Sequence, residues 1–553
     1  MKIPVGNEFF DEIRREKSYY VDKTELIYDL INTTDNKVTL FTRPRRFGKT
    51  LMMSMMENFF SIQKGDSRSL FAGLNIMKHE AFCAEWMNQY PVLFLTLKGI
   101  EALSFEDAYE KLQVKLAGLC KTYEKLLDSD RVNTADRKIF QNLMDQEASY
   151  ANVADSLKTI MRMMASVYEK PVILLIDEYD VPLAKASEKN TDENKFYTKM
   201  LDVIRGMFDA ALKGNRYLKF AVVTGCLRIA KESIFTGTNN FTSYSVLDED
   251  FSEYFGFTQS EVDRLLMEAD CTDKADMIRE CYDGYVFGNT SVYCPWDVVS
   301  YVSALLRRKD AKPKNYWINT SGNNVIKEFV GRFKVSGKFE DLMNGSTITE
   351  TISDELPYDI LHESEQNLWS LLLMTGYLTK AVPADRGRTV KLRIPNEEIA
   401  GIFKDTVAVY FREKLDVTKQ EAMMQALWEG DAETASALMS DLLWKTISYM
   451  DYHEDYYHAF MAGLFVDRGY ETKSNMERGL GRPDLQLFDV DNRRAMIIEV
   501  KKADSRTKME KACDEALKQI ADNEYAKHLD DGFETVLCYG IAFFKKTAMI
   551  RKL

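Results

Sequence analysis

Thr42-Arg43-Pro44-Arg45-Arg46-Phe47-Gly48-Lys49-Thr50 is the stretch on which the fold of this chain turns. The apolar run Val38-Thr39-Leu40-Phe41 precedes it, and Leu51-Met52-Met53-Ser54-Met55-Met56-Glu57-Asn58-Phe59-Phe60 follows it. That order reads as a buried strand, a tight loop and an amphipathic helix. Backbone N–H groups at a helix N-terminus attract anions, so a loop ending in Gly48 and opening a helix is suited to phosphate. Lys49 is placed to reach β- and γ-phosphates, and the Thr50 hydroxyl to coordinate Mg²⁺, which makes ATP with Mg²⁺ the expected ligand. The usual pattern is G-x-x-x-x-G-K-[ST], and Arg43 stands where its first glycine belongs. Pro44 fixes its own φ and biases Arg43 toward an extended form, so stiffness and positive charge replace flexibility. Arg43 and Arg46 are then expected to add charge-assisted contacts to the triphosphate, Arg46 more than Arg45 because it lies nearer Gly48.

The partners of such a loop follow downstream. Val172-Ile173-Leu174-Leu175-Ile176-Asp177-Glu178 is an aliphatic run ended by two acids, a strand buried on both faces of a parallel sheet. Ligands sit at the carboxyl ends of such strands. Asp177 can hold the Mg²⁺ shell there, and Glu178 can polarise a water toward the γ-phosphate. Another short strand, Tyr217–Gly225, ends at Thr224, placed to sense the γ-phosphate or to position the water. Arg228 either contacts phosphate, in its own subunit or in a neighbour of a homo-oligomer, or makes a surface ion pair. Pro91–Leu97 reads as one more strand, and 104–128 and 135–168 as helical stretches. Before the loop, Asp22 or Thr24 is expected to cap a helix from Glu25, and the segment around Tyr19-Tyr20 either lines an adenine pocket or packs. Residues 235–241 read as a loop. Strands alternating with helices give a doubly wound α/β domain over 1–245.

Y-V-D-K-T, T-R-P-R-R-F-G-K-T, L-I-D-E-Y-D and G-C-L-R-I-A-K-E-S-I-F, in that order, resemble the AAA-ATPase-like family of bacterial proteins, related to the AAA+ and STAND NTPases. The resemblance implies an ATP-binding P-loop domain whose loop often begins R-P-R-R-F in place of glycine. It carries Lys49 and Thr50 to phosphate and Mg²⁺, Asp177 to Mg²⁺ and Glu178 to the role of base.

Residues 246–440 read as a mainly helical lid or connector. Its landmarks are Tyr254-Phe255-Gly256, Tyr282-Asp283-Gly284-Tyr285, Cys294-Pro295-Trp296-Asp297 and Thr375-Gly376-Tyr377. Their physics is that of helix ends and packing, and no chemistry is assigned to them. A short β-excursion is expected within 381–399.

The third part, 441–553, carries a second constellation. Gly481-Arg482-Pro483-Asp484-Leu485-Gln486-Leu487-Phe488-Asp489 and Arg494-Ala495-Met496-Ile497-Ile498-Glu499-Val500-Lys501 flank a polar turn, as in a β-hairpin. Glu499 and Lys501 are two apart and share a face. With Asp491-Asn492 central in the turn, Asp484 lies across from Glu499, at the ~5 Å of opposed Cβ atoms. Two carboxylates so close repel unless a divalent cation lies between them, and a neighbouring lysine can orient a water, as in metal-dependent phosphodiester hydrolysis. The plainer alternative is an exposed hairpin with surface charges. The pattern P-D-x₁₄-E-x-K resembles the PD-(D/E)xK nuclease superfamily, which implies a restriction-endonuclease-like α/β domain with Mg²⁺ or Mn²⁺ and a nucleic acid as partner. The same resemblance points to Glu454 as a further acidic metal ligand on a preceding helix, and to Gln519 and Tyr525 as polar positions behind the site. His453 and His458 are five apart, roughly 140° around a helix, which excludes the zinc-protease spacing.

At 553 residues the chain exceeds one core, and 45% hydrophobic residues suffice for packed domains. A net charge of −13 excludes a polyanion-coating protein. Basic clusters at Lys501-Lys502, Arg506-Lys508-Lys511 and Lys545-Lys546-Arg551-Lys552 either meet a few phosphates or form solvated faces. Eight cysteines without a C-x-x-C pair read as reduced, buried thiols. No apolar run reaches spanning length, so a cytoplasmic protein with no membrane contact is expected. The reading is an ATP-binding, ATP-hydrolysing protein whose nucleotide state controls a metal-dependent nuclease. Its rival is an ATP-driven signalling or scaffold switch whose hairpin domain only binds nucleic acid or protein.

Overall fold

The computed structural model describes residues 1–553 apart from 35, 189–194, 229–240, 318–325, 327–336, 344, 354–355, 357–363, 382–388, 404–405, 407–416, 447–456, 458–459, 462–463, 465–470, 475–482 and 527–532. The chain forms two compact units, residues 1–317 with 349–398, and residues 318–348 with 399–553.

The first unit is built on five parallel strands: β1 (Val38–Thr42), β2 (Val92–Thr96), β3 (Val172–Asp177), β4 (Leu218–Gly225) and β5 (Phe241–Tyr244). Their order is β2-β3-β4-β1-β5. Every residue of β1 and β3 is buried, as aliphatic strands covered on both faces must be. Sequence order does not disclose that β4 inserts between β1 and β3. The insertion pairs Phe41 with Thr224 and Ile176 with Val223, so the carboxyl ends of all three strands meet at one edge.

Upstream, α1 (Phe10–Arg15) and α2 (Glu25–Thr33) precede the sheet. Neither Asp22 nor Thr24 caps α2. The Asp22 carboxylate accepts from the Thr24 N–H (2.9 Å) and hydroxyl (2.6 Å) and from the Asn75 N–H (2.6 Å), while the Thr24 hydroxyl accepts from the Ile76 N–H. These two residues clamp a distant turn instead. Tyr20 packs edge-on against Phe10, and its hydroxyl meets the Met55 sulfur at 3.2 Å, which is a packing role.

The middle region mixes helices, among them Gln259–Glu268, Pro295–Arg307 and Glu365–Thr375, with short strands. A hairpin joins β6 (Tyr285–Phe287) and β7 (Thr290–Val292), and β8 (Ile348–Thr351), β9 (Thr379–Lys380) and β10 (Thr389–Arg393) run in the order β8-β10-β9. The second unit holds β11 (Glu471–Ser474), β12 (Leu485–Asp489), β13 (Arg494–Lys502), β14 (Thr535–Phe544) and β15 (Thr547–Lys552) in sequential order. Only the β13–β14 pair is parallel, and the helix Met509–Asp522 makes that crossover. All eight cysteines are free thiols, six of them buried. Among the described residues no helix is long and apolar enough to cross a membrane.

Candidate functional site

β1 delivers the loop, and α3 (Lys49–Phe60) begins at once after Gly48. Gly48 has φ +82°, a left-handed conformation that glycine adopts without strain, and it turns the first helical N–H groups toward the loop. Lys49 is buried and curls back, its ammonium donating to the carbonyls of Arg43 (2.9 Å) and Pro44 (2.8 Å). Thr50 Oγ1 donates to Asp177 Oδ2 at 2.8 Å, and Thr224 Oγ1 donates to Asp177 Oδ1 at 2.5 Å. The ends of β3 and β4 and the first turn of α3 therefore converge on one buried carboxylate, and Thr50 with Asp177 forms an all-oxygen set that fits Mg²⁺. Glu178 follows at φ +53°, a strained position for a side-chain-bearing residue. Burial, reinforced by neighbouring Asp177, raises its pKa, the direction a general base requires.

Two of the loop arginines do not point where the sequence placed them. Arg43 is fully buried, and Nη1 donates to the carbonyls of Thr42 (2.9 Å) and Tyr244 (2.8 Å). Its guanidinium lies over the rings of Phe255 (4.8 Å) and Phe287 (5.6 Å), with Nε and Nη2 unbonded, so it serves as an internal anchor and not as a phosphate ligand. Arg46, at φ +72°, lays its guanidinium over Trp296 at 3.6 Å. Arg45 is exposed. Arg228 is half-buried, and its carbonyl accepts the Leu356 N–H at 3.1 Å.

The hairpin keeps the register expected of it. Pairs run from Leu485–Ile498 to Asp489–Arg494 around a turn at 490–493, and the same register carried one step outward sets Asp484 opposite Glu499. Asp489 fixes the turn, accepting from the Asn492 N–H and side chain and from Arg494 Nε at 2.7 Å. At the open end the Asp484 N–H donates to Glu499 Oε2 (3.4 Å), and the Val500 N–H donates to Asp484 Oδ2 (2.8 Å). Lys501 Nζ stands 3.5 Å from Glu499 Oε1. Burial, then the Asp484 charge, pushes Glu499 up to about 7 against the pull of Lys501. Two crowded carboxylates with this electrostatic strain fit a divalent cation. Among the described residues no third Asp, Glu, His or Cys joins them in a metal-holding group. Glu454, His453 and His458 lie outside the described residues.

Tyr525 follows the helix and is buried with Phe488, Ala495 and Ile497 toward the turn end of the hairpin, its hydroxyl accepting from the Asn523 side chain. Gln519 is half-buried on the helix. Lys508, Lys511 and Arg551 each pair with a carboxylate, as on a solvated face.

Comparison with known proteins matches both ends. Residues 4–235 match the family described as Predicted AAA-ATPase, and residues 452–553 match the PD-(D/E)XK nuclease superfamily. The chain joins an AAA-ATPase-like domain to a PD-(D/E)XK nuclease-superfamily domain. It is also 24% identical, over 562 aligned positions covering 99% of this chain and 98% of the other, to the "Uncharacterized protein in vnfD 5'region" of Azotobacter chroococcum mcd 1.

Several residues that serve the AAA-ATPase-like domain escaped the sequence reading. Asp180 Oδ2 accepts the N–H groups of Cys226 and Leu227, both at 2.9 Å, and Tyr179 donates to the Leu227 carbonyl at 2.8 Å. Together they pin the segment that follows Thr224. The L-I-D-E-Y-D run carried that signal, but only its first two acids invited a role. The middle-region landmarks also seat the loop. Phe47 packs between Tyr285 (5.0 Å) and Phe287 (4.9 Å). Gly376, at φ +90°, approaches Pro44 so closely that an added Cβ would lie 2.9 Å from the proline Cβ. Beside Arg46, buried Asp297 and Glu398 face each other, and desolvation raises both pKa values; the Asp297 charge adds to the rise of Glu398, while hydrogen bonds to Cys294 and Glu398 and the Arg46 charge pull Asp297 partly back. The pair therefore retains protons where exposed carboxyls lose theirs.

Proposed function

We propose that the AAA-ATPase-like domain binds and hydrolyses ATP and that its nucleotide state governs cleavage of DNA or RNA by the PD-(D/E)XK domain. Three functional modules carry this reading: the NTPase over 1–245, a connector over 246–440 and the nuclease over 441–553. The observation behind it is that Asp484, just before β12, and Glu499 and Lys501, on β13, come together at the open end of the hairpin around a buried Glu499 carboxylate. Asp484 and Glu499 would hold Mg²⁺ or Mn²⁺, with Glu454 as a further ligand. The cation supplies Lewis acidity and an acidified water, while Lys501 orients that water and balances charge. In the first domain Lys49 and the helix N-terminus neutralise the triphosphate, and Thr50 and Asp177 hold Mg²⁺. Glu178 accepts the proton of the attacking water, Thr224 positions that water, and Arg228 and the exposed Arg45 are the arginines left for phosphate.

The test is cleavage of plasmid and single-stranded substrates with Mg²⁺ or Mn²⁺, with and without ATP. Wild type, Glu499→Ala and Lys49→Ala are compared. ATP-sensitive cutting lost in Glu499→Ala, and no longer ATP-sensitive in Lys49→Ala, is the expected result. Equal background cutting by wild type and Glu499→Ala removes the nuclease claim.

A further inference from the structure

Gln486 lies on β12 two residues from Asp484 and directly opposite Ile497. Strand alternation therefore places it on the face that carries Asp484 and Glu499, one step farther in. It is 1% exposed, yet neither its Oε1 nor its Nε2 has a hydrogen-bond partner. Its neighbours along this face are apolar, since Phe488, Ala495 and Ile497 pack there with Leu517 and Ile520 of the helix Met509–Asp522. Packing alone calls for a leucine or methionine at such a position, because a buried amide without partners is destabilising. The other polar groups of the hairpin are satisfied: Asp489 by Asn492 and Arg494, Asp484 by the Val500 N–H, Glu499 by the Asp484 N–H and Lys501. Both vacant functions of Gln486 suit water, which donates to the carbonyl oxygen and accepts from the amide nitrogen.

We propose that Gln486 is a positioning residue of the cation site, hydrogen-bonding a water held by the divalent ion at Asp484 and Glu499. The proposal rests on the nuclease-site reading above. Polar groups that orient a metal's ligands typically change its affinity 10- to 100-fold when removed. They do so without contacting the metal.

The experiment is calorimetric titration of the full chain with Mn²⁺, free of nucleotide, alongside thermal unfolding without metal. It uses wild type, Gln486→Leu, Gln486→Glu and Glu499→Gln, the last of which subtracts cation bound at the phosphate loop. Gln486→Leu is expected to unfold no earlier than wild type while binding Mn²⁺ about tenfold more weakly, and Gln486→Glu to retain binding. Wild-type Mn²⁺ affinity in Gln486→Leu overturns the proposal, as does a loss of affinity that merely accompanies a lower unfolding temperature in both Gln486 variants. If Glu499→Gln binds as wild type does, the cation site itself is refuted, and that outcome is distinct from failure at Gln486 alone.

Discussion

Cation binding at the hairpin should be tied to proton release, with the size set by Glu499. At about 7 its carboxyl is well above the ordinary 4.5, because it is buried beside Asp484. The neutral form is therefore favoured in the folded state. Without metal, that contribution to stability is fully present below about pH 4.5 and is lost as pH rises through about 7, by roughly 3 kcal/mol at most. A divalent cation must displace the proton. With the carboxyl about nine-tenths protonated at pH 6 and about one-tenth at pH 8, Mn²⁺ should bind roughly tenfold more weakly at pH 6, or ~1.4 kcal/mol. Close to one proton should leave per ion at pH 6 and few at pH 8. Calorimetry in buffers of different ionisation heat measures both quantities. Lys501→Ala removes the cation that lowers the Glu499 pKa, so the transition should move above pH 7. Glu499→Gln should abolish the pH-dependent component. Affinity flat between pH 6 and 8, or the same proton release in Glu499→Gln, would refute the assignment.

Arg43→Gly restores the usual loop glycine but removes a buried guanidinium that bonds two carbonyls and covers Phe255. It should cost roughly 2–4 kcal/mol in denaturant unfolding and weaken ATP binding, and a gain in either would contradict the anchoring role. Because Arg46 rests on Trp296, Arg46→Ala should lower stability by ~1 kcal/mol, while Arg45→Ala should weaken ATP binding more. A titration giving the reverse order of affinities counts against this. Glu178→Gln should leave ATP affinity intact and slow hydrolysis by about 10²-fold or more, as read by phosphate release. Gly376→Ala should weaken ATP binding despite its distance in sequence, since both its φ and its approach to Pro44 exclude a Cβ.

The strand–loop–helix, the acid-ended β3 and the hairpin register were all legible, because each depends on local pattern. An all-aliphatic strand declares its burial, and a two-residue alternation declares which side chains share a face. What was not legible depends on neighbours distant in the chain. Asp22 and Thr24 carry good capping chemistry, but the turn at Asn75-Ile76 takes it from α2. Gln486 is, in sequence, one polar residue between Leu485 and Leu487, to which no role was assigned. Its significance appears only once the register shows the face it occupies and burial shows that the amide is unpaired.

Arg43 shows how that limit bears on function. A glycine at this position would leave the loop entrance free of side-chain contacts, and loop movement on phosphate binding would stay local. Here the entrance is tied inward through the carbonyls of Thr42 and Tyr244 and the rings of Phe255 and Phe287. Pro44 is held against Gly376, Arg46 on Trp296, and Phe47 between Tyr285 and Phe287. A loop held at Arg43, Pro44, Arg46 and Phe47 cannot shift unless the segments carrying those contacts shift or release it. The aromatic and glycine clusters of the middle region therefore set the position of the loop proposed to bind nucleotide. Replacing glycine with a buried arginine turns a flexible loop entrance into one whose position is set by residues more than 200 positions away.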